Sequence, residues 1–393
     1  MTRTNLSGGI RARDVDLPPF PFDLAAFGVS RLADQGDMVP FGLSVWSAIR
    51  PAARSFCVTN GKSIDSEHAR LTAFMEAVEC ACAETADRLI EWYETPKAMA
   101  AKGHRVVPFQ TCLSVAEPDR ARIRELGWIR GESLSDNSPI WAPYELVGLD
   151  HRISQPWDRN AFLMSSIGLA AHTTRESAIL NAILELVEAD AQALALRVAG
   201  RFAKCMRYAP ETIPDPDLQC LIDRLSDRSL RLELVDITSD TGLACLGALL
   251  EDQRKGNWGH RTAGFACRPS FSEAAQAAIF EAVQSFVTTF VGARDDIVPA
   301  DFQGKARPGP TGGETRPFPS DADSKPKTLE VVLAHLAAVG IDDAFVFDLA
   351  PDFPDVDCVR VIIPGLEPSG LAFANTRRGP RFASAMLAGI PLG

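Results

Sequence analysis

Three stretches of this 393-residue chain place acidic side chains at the same spacing. EHARLTAFMEAVE (67–79), ESAILNAILELVE (176–188) and SEAAQAAIFEAVQ (272–284) align without gaps. Each carries Ala, then Ala four later, Glu three later, and Glu or Gln three later again. The sets are Ala69, Ala73, Glu76, Glu79; Ala178, Ala182, Glu185, Glu188; and Ala274, Ala278, Glu281, Gln284. Steps of four, three and three fall on one stripe of an α-helix. The alanines permit close approach to a neighbouring element. Acids further along the same packed face would repel one another and resist desolvation unless a cation sits among them. One such pair would suit a solvated face, because glutamate is a good helix former. Three in one register point to a shared polar site. Four glutamates with Glu281 and Gln284 around one cavity offer hard oxygen donors of the kind Mg²⁺ takes, together with waters and substrate phosphates. GxxxxGK[ST] is absent from the sequence, so a Walker loop is not the phosphate holder.

The elements that must position these acids repeat as well. RSFCVTNG (54–61), AFLMSSIG (161–168) and RTAGFAC (261–267) are predicted as short buried strands. Each precedes a loop and a helix cap, with Ser66, Thr174 and Ser270 or Ser272 as the capping residues. The unit is strand, loop, helix, three times over. LRLELVDIT (230–238), ACLGALLED (244–252), AFVFDL (344–349) and CVRVIIP (358–364) read as further strands, the last two paired in one sheet. TLEVVLAHLAAVGI (328–341) reads as a helix ending at Gly340. The expected class is α+β, a large mixed sheet with three strand–loop–helix repeats around a central acidic cavity.

Composition bounds the function. The net charge of −11 disfavours nucleic acid as a partner. No run of about 18 apolar residues marks a membrane span, and the first 20 residues lack the apolar stretch of a secretory signal. Nine dispersed cysteines without a CxxC pair fit reduced thiols in the cytoplasm, and no histidine stands at zinc spacing from them.

CVTNGKSIDSEHARLTAFMEAVE, SSIGLAAHTTRESAILNAILELVEAD and FSEAAQAAIFEAVQSFVTTFVGARDD resemble the three signatures of the YcaO family. FGVSRLAD (27–34), AIRP (48–51) and VRVIIPGLEP (359–368) extend the resemblance over about residues 27–370 in the expected order. It implies an N-terminal extension at 1–26 and one YcaO-like domain at 27–393, with a Pro/Gly-rich mobile insertion at 301–327. It also implies ATP and Mg²⁺ as cofactors, with O-phosphorylation of a backbone amide in a ribosomally made peptide or protein. An azoline, thioamide or amidine is the product. By motif position the metal and nucleotide would fall to Glu76, Glu79, Glu185 and Glu188, with Glu281, Gln284 and Lys62 as further nucleotide contacts. Phosphoryl transfer rests on positioning and charge neutralisation, so no cysteine needs to act and no side chain is assigned as a catalytic group.

The chain departs from the family pattern at several nucleotide-contact positions. His172 and Thr173 stand for Gly-Asn, Ser177 for a glutamate, and Ala170 for a serine. Cys80, Ala189 and Phe286 stand where arginine is common. Lost guanidinium–phosphate bonds would each be worth on the order of 1.5–3 kcal/mol. The alternative expectation is therefore a YcaO-like binding or partner subunit. The chain ends in MLAGIPLG, not a PxPxP tail, which weights the product towards a thioamide. A separate recognition or sulfur-transfer protein is expected as a partner, and the resemblance also implies a homodimer.

Overall fold

The computed structural model describes residues 22–38, 41–198, 201–254, 261–292, 294, 297, 314–320, 328–350, 352–353, 356–368 and 377–388. The α+β class holds, but the strands are divided among three sheets and are not joined into one. A three-stranded antiparallel sheet orders Arg31–Asp34, Ser44–Ile49 and Val58–Ser63. A five-stranded sheet orders Arg261–Arg268, Ala244–Asp252, Leu230–Asp236, Arg207–Tyr208 and Thr315–Arg316. A six-stranded sheet orders Ile90–Glu94, Leu126–Ser133, Phe345–Asp348, Asp357–Ile362 and Leu169–His172, with Pro139–Pro143 paired to Leu126–Ser133.

The three acidic segments lie on the helices Ser66–Glu84, Arg175–Arg197 and Phe271–Val291, the first-, second- and third-repeat helices. Alternation along the strands decides which helix each sheet face meets. Phe345 and Phe347 belong to the core of the first helix, whereas Val346, Val359 and Val361 belong to that of the second. Cys245 and Leu249 face the second helix; Leu246 and Ala248 face the third. Val45 joins the core of the third, while Trp46 and Ala48 join that of the first. Each sheet is thus clasped between two repeat helices, and the order closes on itself. The third helix is long and apolar enough to cross a membrane by composition, but most of its apolar residues are core.

Small residues set the helix–strand distances. All six alanines of the repeat are fully buried. A Cβ on Gly61 would stand 2.1 Å from the Ala73 nitrogen and 2.2 Å from the Ala69 oxygen. One on Gly264 would stand 2.3 Å from the Ala278 oxygen. Glycine in these two strands lets the helix backbone rest directly on the sheet.

Several sequence expectations shift in the structure. The second-repeat strand is Leu169–His172, not 161–168, because the earlier stretch is irregular, with one isolated bridge from Phe162 to Val115 and a turn at its end. The first strand spans Val58–Ser63, so 54–57 is excluded from it. Asp65, not Ser66, caps the first helix, accepting the His68 N–H at 2.7 Å. Thr174 and Ser270 cap the other two, Ser270 in a capping box with Glu273. The helix near 328–341 spans Leu329–Ala338, two residues short of Gly340. Phe345–Asp348 and Asp357–Ile362 do pair, antiparallel.

Of the proposed N-terminal extension, residues 1–21 lie outside the described residues, whereas Phe22 stacks on Phe74 of the first helix, with ring centroids 5.4 Å apart. Of the insertion, 301–313 and 321–327 lie outside the described residues. Thr315–Arg316 within it adds a parallel strand to Arg207–Tyr208. The tail 389–393 also lies outside.

Candidate nucleotide and metal site

Close packing of the repeat helices brings their carboxylates together. Glu76, Glu79 and Glu185 line one cavity of about 140 Å³ with Cys80, Ser166 and Arg294. Backbone donors hold each acid. Glu76 Oε2 accepts the Asn60 N–H, Glu79 Oε1 the Ala171 N–H, and Glu185 Oε2 the Gly168 N–H, all at 2.9 Å. In the first repeat the strand before the helix aims Glu76, in the second the turn before the strand aims Glu185, and the Glu79 bond crosses between the two repeats.

Burial dominates the electrostatics. It raises the proton affinity of all four glutamates of the first two repeats. Glu185 is lifted to about 7, while Glu79 and Glu188 stand well above the usual carboxylate range. After burial, the charge of Glu185 is the largest influence on Glu79, and that of Glu281 the largest on Glu188. Glu188 thus belongs to the same neighbourhood, although it does not line the 140 Å³ cavity. Lys62 reaches Glu281 at 3.8 Å, linking the first-repeat strand to the third-repeat helix. Gln284 is buried, and its Oε1 has no hydrogen-bond partner among the described residues.

Four residues missed at the sequence level stand beside these acids. Arg294 lines the cavity and its charge acts on Glu76. Arg268 acts on Glu188. Arg360, buried in strand Asp357–Ile362, acts on Glu185. Ser166 lines the wall. The signal for Arg360 was an arginine inside the apolar run CVRVIIP. The other three carry no pattern of their own.

The departures from the family pattern find local roles. Cys80 lines the cavity with its thiol pushed up by burial. Phe286 packs edge-on against Phe41 in the core. Ala189 lines a neighbouring cavity of about 50 Å³. Ser177 accepts the Thr174 hydroxyl at 2.8 Å within the cap, and His172 pairs with Thr173. Glu176 is exposed and does not replace the missing acid.

The residues fit a magnesium–nucleotide group by their chemistry. They are hard oxygen donors, made reluctant to ionise by burial and by each other, and a dication relieves both penalties. Among the described residues no three Asp, Glu, His or Cys side chains stand close enough together to hold a metal ion by themselves. Magnesium held by one or two of these carboxylates would need phosphate oxygens and water to complete its shell.

Comparison with known proteins identifies the family. The chain is 32% identical over 91% of its length, and 90% of the relative's, to the "uncharacterized protein in tfuA 3'region" of Rhizobium leguminosarum bv. trifolii. It superposes on YcaO from Methanopyrus kandleri bound with AMPPCP and Mg²⁺ with a TM-score of 0.67 and 23% identity, covering 91% of each chain. A heterocyclase in complex with substrate and cofactor gives a TM-score of 0.70 at 17% identity, over 90% of this chain and 54% of that one, so this chain spans about half of that protein. The E. coli microcin synthetase McbBCD complex gives 0.59 at 13% identity, over 85% of this chain and 87% of that one. The family profile described as YcaO cyclodehydratase, ATP- and Mg²⁺-binding, matches residues 60–367. The chain belongs to the YcaO family, whose cofactors are ATP and Mg²⁺.

Proposed function

We propose that this protein uses ATP and Mg²⁺ to activate a backbone amide of a ribosomally made peptide or protein by O-phosphorylation. The observation that carries the reading is the convergence of Glu76, Glu79 and Glu185 on one cavity beside Arg294, with Glu188, Glu281 and Lys62 adjoining. Glu76, Glu79, Glu185 and Glu188 would hold Mg²⁺. Lys62, Glu281 and Gln284 would meet the nucleotide. When bound, magnesium and ATP supply the phosphoryl group and neutralise charge on it. The chain's own residues orient that group: backbone N–H groups of Asn60, Gly168 and Ala171 fix the carboxylates, and burial excludes competing water. No side chain is required as a nucleophile.

The finer reading is a thioamide or azoline product, with a separate recognition or sulfur-transfer protein and a homodimeric state as its setting. The nine cysteines, none in a disulfide, suit work in the cytoplasm. The test is phosphate release and peptide mass change with Mg²⁺·ATP, the peptide and its partner proteins. Glu76→Gln and Glu188→Gln abolish both, and normal turnover in these variants sinks the assignment.

A second reading, a partner subunit without turnover, is favoured by the second-repeat loop. There Ser177 is engaged in its own cap and Glu176 is exposed, so no acid replaces the glutamate the family carries. Mg²⁺·AMPPCP binding without phosphate release under the full assay would select it.

A further inference from the structure

Arg360 is an unusual expense for a sheet interior. It sits in the middle of a strand, 3% exposed, with neighbouring positions filled by Cys358, Val359, Val361 and Ile362. Burial lowers its guanidinium to about 10. A buried cation persists where its donors are satisfied and an opposite charge lies near. Two of its three bonded nitrogens serve one segment. Nη1 donates to the Ile167 oxygen at 2.6 Å, Nη2 to the Ser165 oxygen at 2.7 Å, and Nε to the Val147 oxygen at 3.1 Å.

Segment 165–168 runs outside the ladder, so its carbonyls need donors from elsewhere. The guanidinium provides two of them. The Val361 N–H adds a third, to the Gly168 oxygen at 2.8 Å. Gly168 has φ +84°, and a Cβ there would stand 2.7 Å from the Val361 oxygen, so the turn is bound to strand Asp357–Ile362 at contact distance. The Gly168 N–H then points to Glu185 Oε2 at 2.9 Å, and Ser166 in the same segment lines the glutamate cavity. Arg360 lines the smaller neighbouring cavity instead.

We infer that Arg360 is a positioning residue of the nucleotide site: it fixes segment Ser165–Gly168, and through it the Glu185 carboxylate, without entering the glutamate cavity. This rests on Glu185 acting as a ligand of the magnesium nucleotide. A lysine would keep the charge and lose the fork that spans Ser165 and Ile167.

The test uses the full chain, with Mg²⁺·AMPPCP affinity read by calorimetry and the melting temperature read alongside. Arg360→Met is expected to weaken binding about tenfold or more. Arg360→Lys folds with the buried charge retained and is also expected to lose affinity. Arg360→Ala with added millimolar guanidinium is expected to recover most of the loss. Leu221→Ala, on helix Pro216–Asp227 in a core that contains neither Arg360 nor residues 165–168, is expected to lower the melting temperature with unchanged affinity. Wild-type affinity in both Arg360→Met and Arg360→Lys overturns the inference. So does an equal loss in Leu221→Ala, or no recovery with guanidinium. Wild-type binding by Glu185→Gln overturns the reading of Glu185 itself, whereas weak Glu185→Gln beside intact Arg360→Met overturns only the role of Arg360.

Discussion

Glu79 on the first-repeat helix accepts the backbone N–H of Ala171, on the second-repeat strand, at 2.9 Å across 92 residues of chain. That bond joins two repeats through one half-buried carboxylate. It places Glu79 beside Glu185, whose charge is the largest influence on it after burial. Carboxylates packed this way relieve their mutual repulsion by holding on to protons.

Metal-free protein is expected to lose stability as pH rises from about 4.5 to about 7. Glu185 moves from 4.5 in the unfolded chain to about 7 in the fold. Between those values the native state keeps a proton that the unfolded state has released, so the Glu185 contribution falls with rising pH and levels off above about 7. Glu185 alone contributes up to about 3 kcal/mol, and Glu76, Glu79 and Glu188 shift in the same direction. Urea unfolding at pH 5 and pH 8 measures the slope. Glu185→Gln should flatten part of it, and Mg²⁺·AMPPCP should stabilise most at the higher pH, where the ligands are ionised.

Gly61→Ala is expected to destabilise the fold by about 1–3 kcal/mol, the ordinary cost of overpacking. The new methyl would meet backbone atoms of Ala69 and Ala73, which cannot rotate away. The first helix must retreat, carrying Glu76 with it. Nucleotide affinity should fall together with the unfolding free energy, and a fall in stability alone would show that the helix returns to register.

Lys62→Met separates stability from binding. The Lys62–Glu281 pair is long, at 3.8 Å, and partly exposed on both sides, so its loss should cost no more than about 1 kcal/mol. If Lys62 meets phosphate, the Kd for Mg²⁺·AMPPCP should rise several-fold while the melting temperature barely moves. An unchanged Kd would leave Lys62 as a partner of Glu281 only.

Ser270→Ala should destabilise by about 1 kcal/mol through loss of the capping box that starts the third-repeat helix. Because the cap lies more than two turns from Glu281, turnover per folded molecule should be retained. Thermal unfolding and phosphate release, measured on one preparation, check both halves.

Periodicity alone carried the sequence reading a long way. The spacing of Ala69, Ala73, Glu76 and Glu79, repeated twice more, identified three helices and the face on which each is packed. Helix geometry converts spacing into a stripe without knowledge of the rest of the chain. Strands such as Ala244–Asp252 were legible as short, nearly continuous apolar runs.

What spacing cannot supply is the neighbour across the cavity. That Glu79 is held by Ala171, that Arg360 braces Ser165 and Ile167, and that the sheets number three depended on contacts between segments far apart in sequence. The second-repeat strand was misplaced because 161–168 is as apolar as a strand, yet takes its hydrogen bonds from a buried guanidinium and turns. A local pattern records which face of an element avoids water. Which charge lies opposite that face is decided only when the whole chain has packed.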